Sequence, residues 1–151
     1  MSADGTLLAV GAPGETSSAR GVNGDATSTQ TQGAGAVYVF KSVPSVLNRL
    51  WKQEAYIKAS NTRPQAEYNV DIIGYYVNYP QNFGATVALS ADGSMLAVSA
   101  PGERSKAAGV NGDQSDHSMP QAGAVYTYTR TNNGDACLLY TSPSPRDRQK
   151  S

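Results

Sequence analysis

A nucleophile–base–acid set needs a histidine or a substitute base, and His117 is the single histidine of the 151-residue chain. It lies in a polar stretch, residues 114–121, with no second member of a triad in support, so it reads as a solvated loop side chain. No catalytic residue is assigned, and the chain is expected not to be an enzyme. Gly33-Ala34-Gly35 has the composition of a phosphate loop but precedes an apolar run, whereas a dinucleotide fingerprint follows a strand and opens a helix. Among the acids, Asp4-Gly5 and Asp92-Gly93 each offer one carboxylate. Calcium needs about six to eight oxygens, so both pairs read as hairpin turns. A second set of oxygen donors is Asn23 and Asp25, then Asn111, Asp113 and Asp116, the last replaced by Ser28 in the other copy. These are the metal candidates, calcium being the ion they suit, although Asn-Gly-Asp is first a turn signal. Otherwise no cofactor is expected. A last set is aromatic: Tyr68, Tyr75, Tyr76 and Tyr79, within residues 61–81. A tyrosine ring is a flat apolar surface with a polar tip, suited to protein and sugar contacts. These four are the ligand-contact candidates, against the plainer alternative that they cover a sheet edge.

The elements that would position these residues come in two copies. Every residue from Ser2 to Phe40 aligns without gaps to the residue 88 positions later, with 23 identities in 39 columns. "SADGTLLAVGAPGE" is answered by "SADGSMLAVSAPGE", Gly21–Asp25 by Gly109–Asp113, and Gly35–Tyr38 by Gly123–Tyr126. So dense a match at a long period is the mark of a repeat array. Each copy reads as β structure. The runs Leu7–Ala12 and Ser94–Ala100 are short, apolar and stopped by Ala-Pro-Gly, since proline cannot donate to a ladder. Ala36–Phe40 and Ala124–Tyr128 are aliphatic–aromatic strands. Trp51–Ser60 alternates, with Trp51, Ala55, Ile57 and Ala59 on one side and Lys52, Glu54 and Lys58 on the other, as in a half-exposed outer strand. Only Val43–Trp51 has any helical period. Residues 16–32 and 104–121 are long polar loops of the kind that carry function.

Phe83-Gly84-Ala85-Thr86-Val87-Ala88, Asp92-Gly93, Ala97–Pro101 and Gly123-Ala124-Val125-Tyr126 together resemble the FG-GAP repeat of integrin α-chains and bacterial exported proteins. The better "GAP" is Gly11-Ala12-Pro13; Ser99 replaces its glycine in the second copy. The resemblance implies a β-propeller, so the expected fold is all-β: about one and a half four-stranded antiparallel blades, incomplete. Residues 1–60 are expected to form a partial first blade, 61–82 an inserted loop and 83–136 a second, truncated blade. The calcium loop common in that family, D-x-D-x-D-G, is matched only at its end.

By the repeat register, a tryptophan strand is due near residue 139, where the chain instead reads "CLLYTSPSPRDRQKS". That tail resembles a translated sequencing adapter, so residues 137–151 are expected to be non-native, disordered and outside the fold. Without them the chain holds 9 Lys and Arg against 11 Asp and Glu, a net charge of −2, and no cysteine. This argues against a nucleic-acid partner and rules out a disulfide scaffold; no apolar run is long enough to span a membrane. The functional expectation is a non-catalytic repeat module of an exported, extracellular or surface protein, serving adhesion or binding protein or carbohydrate. The remaining propeller blades would be its structural partners. The alternative is the propeller portion of a larger secreted enzyme whose catalytic domain lies elsewhere.

Overall fold

The computed structural model describes residues 1–46, 48–62, 80–107, 109–116, 118–119 and 121–130, and the backbone of 136–143. The described residues contain no helix. They form two antiparallel sheets: β1 (Leu7–Ala12), β2 (Ala36–Pro44) and β3 (Arg49–Ile57) in the order β1-β2-β3, and β4 (Val87–Leu89), β5 (Met95–Ala100), β6 (Ala124–Arg130) and β7 (Ala136–Pro143) in the order β4-β5-β6-β7. The span from Val43 to Trp51 holds the β2–β3 hairpin, closed by Ser45 N–H on Asn48 O at 2.8 Å. Its weak helical period is overridden by strand pairing.

The sequence repeat is a structural repeat. All six β1–β2 pairs, from Leu7↔Lys41 to Ala12↔Ala36, recur 88 residues on, from Met95↔Thr129 to Ala100↔Ala124. Left-handed backbone recurs in the same register, at Gly5 and Gly93, Gly21 and Gly109, Asn23 and Asn111, Gly33 and Gln121, and Gly35 and Gly123. Gln121 adopts at φ 58° what Gly33 adopts freely, a conformation that costs a side-chain-bearing residue about 1–2 kcal/mol.

Because 88 is even, the repeat preserves the alternation of side chains across a strand. Odd-numbered residues of β1 and β2 (Leu7, Val37, Val39) and even-numbered residues of β5 and β6 (Leu96, Val98, Tyr126, Tyr128) join one core cluster. The odd face of the first sheet thus packs on the even face of the second. Phe83 is wholly buried between them, edge-on to Tyr126 at 5.2 Å and Tyr128 at 6.2 Å. Such aromatic pairs contribute about 0.5–1.5 kcal/mol each beyond their buried area.

Three expectations are corrected here. Pairing of β2 with β3 shifts between Val39↔Ala55 and Phe40↔Gln53, a bulge at Glu54. One extra residue reverses the alternation. Ala55 and Ile57 therefore join the core, while Trp51, opposite Ser42, lies on the other face and is 45% exposed. Lys58, expected on the solvent side, is fully buried, because the chain leaves β3 beneath the loop carrying Glu15. Finally, residues 137–143 are not outside the fold: Ala136–Pro143 pairs with β6 from Arg130↔Ala136 to Ala124↔Pro143. The strand occupies the place that β3 takes in the first sheet, offset by three residues: Ser42 faces Trp51, and its counterpart Arg130 faces Ala136 rather than residue 139. An open strand edge offers unpaired N–H and C=O groups to any extended segment, and "ACLLYTS" has the composition of a strand. Residues 144–151 lie outside the described residues.

Candidate functional site

The two ends of the stack differ. One end carries the tight turns before β1 and β5. In each, a serine hydroxyl (Ser2, Ser90) donates to the next aspartate (Asp4, Asp92) at 2.6 Å and accepts the N–H that opens the strand (Leu7, Met95) at 2.9 Å. The Ser2 hydroxyl and then the Thr6 donors hold the Asp4 carboxyl down at about 2, and Ser90 and Ser94 do the same for Asp92. These aspartates organise turns. A cleft lined by Leu7, Val39, Leu96 and Tyr128 opens at this end, where Arg130 Nη2 meets Glu54 Oε1 at 2.6 Å and ties the sheets together.

The opposite end gathers two long segments, residues 13–35 and 101–123, and residues 58–62 leaving β3. Two glutamates, equivalent in the repeat, lie beneath them. Glu15 accepts Ser17 N–H at 2.8 Å and is paired with Lys58 Nζ. Glu103, 1% exposed, accepts Ser105 N–H at 3.0 Å, Ser105 Oγ–H at 2.9 Å and Asn61 Nδ2–H at 2.8 Å. Asn61 also accepts from Tyr126 Oη–H at 2.7 Å and Gln81 Nε2–H at 2.9 Å, while Ser60 donates to Gln114 at 2.7 Å. Asn61 thus stitches the end of the first repeat to the second. Burial pulls the Lys58 ammonium below the usual lysine range, opposed by Glu15.

The candidate oxygen donors sit at this end, and the three aspartates are each engaged within their own loop. Asn23, at φ 56°, accepts Tyr56 N–H at 2.9 Å and donates its own N–H to Tyr56 O at 2.7 Å, clamping the loop to β3. Asn111 repeats that left-handed conformation at φ 59°. Asp25 accepts from Thr27 N–H and hydroxyl, and its carboxyl is lowered chiefly by that hydroxyl. Asp113 accepts from Ser115 in the same manner. Asp116 is held by Lys106 at 2.8 Å and by Ser118 N–H, which drive its carboxyl well down. Among the described residues no three of the His, Cys, Asp or Glu side chains converge as metal ligands. Tyr68, Tyr75, Tyr76, Tyr79 and His117 lie outside the described residues. Sequence reasoning missed the Glu15–Lys58 and Glu103–Asn61 centres. The one available signal was Pro-Gly-Glu, kept in both copies after each apolar strand.

Tyr126 and Tyr128 are buried, and desolvation, for Tyr126 with Glu103 nearby, lifts both phenols above the ordinary value of 10. The folded state therefore holds protons that the unfolded chain releases, and stability present below pH 10 is lost as pH rises beyond it. Each phenol removes about 1.4 kcal/mol per pH unit above 10. Tyr128→Phe, the residue found at the equivalent Phe40, should flatten that alkaline loss by one phenol's share in urea titrations at pH 10 to 12. An unchanged slope would show that Tyr128 ionises freely in the fold.

The chain matches no protein family, no curated protein and no solved structure with which it was compared.

Proposed function

We propose that this chain is a non-catalytic binding module built from FG-GAP-like β-propeller repeats. It belongs to an exported or surface protein and serves adhesion or the capture of a protein or carbohydrate ligand. The observation that carries this reading is the asymmetry of the stack. Two long polar segments, residues 13–35 and 101–123, converge at one end over a hydrogen-bonded base, and the other end carries the tight turns and the cleft. A scaffold of that kind holds variable loops on a rigid platform, the usual arrangement for recognition. Close packing of the Phe-Gly and Gly-Ala-Pro glycines across the two repeats also supports the propeller reading. Ligand contact is assigned to the loops, with Tyr75, Tyr76 and Tyr79 as the leading aromatic set.

The test is an array of glycans and matrix proteins probed with the whole chain, followed by Tyr75→Ser, Tyr76→Ser and Tyr79→Ser. Loss of a central aromatic contact costs about 2 kcal/mol or more, roughly 30-fold in affinity, with the melting temperature nearly unchanged. Unaltered binding removes these tyrosines from the contact surface. Unfolding instead of weakened binding identifies them as core.

A further inference from the structure

Gly21-Val22-Asn23-Gly24-Asp25 and Gly109-Val110-Asn111-Gly112-Asp113 are the same five residues, yet the fold holds their asparagines differently. Both asparagines are exposed, and both have left-handed backbone, at φ 56° and φ 59°. Asn23 is gripped on two sides by Tyr56. Its Oδ1 accepts Tyr56 N–H at 2.9 Å, and its own N–H donates to Tyr56 O at 2.7 Å. Lys58 N–H adds a bond to Gly21 O at 2.8 Å, and Val22 bridges Ile57 and packs on the core. Among the described residues the second loop has no such clamp. Thr141 and Ser142 face Tyr126 and Val125 as Tyr56 and Ile57 face Tyr38 and Val37. Pro143 then follows in the place of Lys58, and proline has no N–H to give to the loop. Val110, the counterpart of Val22, is 69% exposed.

We propose that Asn111 is a site of spontaneous deamidation, and that the Tyr56 clamp protects the identical Asn23. The only co-reactant is water. The backbone nitrogen of Gly112 gives up its proton and attacks Cγ of Asn111. An N–Cγ bond forms, the Cγ–Nδ2 bond breaks, and the side-chain nitrogen leaves as ammonia with that proton. Water then opens the cyclic imide at either carbonyl. One opening gives aspartate, the other an isoaspartate whose main chain runs through the former side chain. Nothing is oxidised or reduced. Glycine suits the step because no Cβ shields its nitrogen. The loop must leave its resting conformation for the ring to close, so the rate follows the ease of local opening. That opening breaks two hydrogen bonds at Asn23 and neither of their equivalents at Asn111. The product places a new carboxylate two residues from Asp113, on the loop end of the stack. The proposal is independent of any ligand held there.

Ageing the intact, folded chain in neutral buffer and digesting it with trypsin measures both sites at once. Cleavage after Arg20, Lys41, Lys106 and Arg130 puts Asn23 in residues 21–41 and Asn111 in residues 107–130, each the sole asparagine of its peptide. A third Asn-Gly pair, at 133–134, falls in a separate peptide. Mass spectrometry reads the exchange of NH2 for OH, and chromatography separates the isoaspartyl form. With two hydrogen bonds to break first, Asn23 should convert about 30-fold more slowly than Asn111. In concentrated urea the two peptides should convert at the same rate, because their local sequences match. An Asn111 that converts no faster than Asn23 in the folded chain overturns the proposal. So does a gap that persists in urea, since the clamp is then not its cause.

Discussion

Glu15→Gln should cost about 3–5 kcal/mol at pH 7, because it strips the counter-charge from a lysine with no exposed surface. The loss has a natural ceiling. An amine of ordinary pKa 10.5 can escape burial of its charge by releasing its proton. At pH 7 that release costs at most 3.5 pH units, about 5 kcal/mol. Burial already draws Lys58 downward, and removing Glu15 removes the principal opposing influence. The folded state then binds fewer protons than the unfolded chain between the lowered pKa and 10.5, so stability rises with pH across that window. The variant should accordingly recover between pH 7 and 10 by up to about 1.4 kcal/mol per pH unit. Glu15→Gln/Lys58→Met should restore most of the stability at pH 7, since a neutral pair of similar volume leaves no buried charge uncompensated. Urea unfolding followed by circular dichroism at several pH values measures all three. A single variant within 1 kcal/mol of wild type, with no alkaline recovery, would mean that the ion pair contributes nothing.

Gly84→Ala should be nearly as damaging, for steric reasons. Gly84 sits at φ 88°, and a Cβ there would lie 2.4 Å from Ala36 O, a backbone atom of the neighbouring sheet. Left-handed backbone costs an alanine about 1–2 kcal/mol and overpacking about 1–3 more, giving roughly 2–5 kcal/mol in total. Gly11 has the reciprocal constraint: its added Cβ would lie 2.0 Å from Gly84 O. Gly5 is the internal control, at φ 67° with nothing within 4 Å of an added Cβ. Gly5→Ala should therefore cost only the backbone share, about 1–2 kcal/mol. Chemical denaturation of the three variants separates the effects; equal losses at Gly5 and Gly84 would show that the sheets part to accommodate the methyl group. Gly11 and Gly84 lie where the repeats touch, which gives the Phe-Gly and Gly-Ala-Pro motifs a physical meaning: two backbones approach more closely than any side chain permits.

The amino-acid sequence by itself determined the repeat, the strands and the turns that punctuate them. Alternation, Asp-Gly turns and proline stops act within a few residues, so they can be read locally, and the 88-residue register carried over to pairing and left-handed positions alike. What lay between the identical segments was harder to read. Residues 26–32 and 114–120 share no identical position, yet Thr31 N–H closes on Thr16 O as Met119 N–H closes on Arg104 O, 88 residues on. Backbone hydrogen bonds are indifferent to side-chain type, so the closure of these loops left no trace in residue identity.

Only the tertiary structure decided the remaining points. The Glu54 bulge exchanged the faces of Trp51 and Ala55, because a single added residue inverts everything beyond it in a period of two. Lys58 became buried because Glu15, 43 residues away, met it there. Asn61 became the link between repeats because Glu103 and Tyr126 of the second repeat converge on it. The strand at 136–143 formed because β6 had an edge to fill, whatever the origin of the segment that filled it. Local patterns specify which segments extend and where they turn. Pairings of charge, polar groups and edges depend on which distant segments meet, and that is fixed only when the sheets stack.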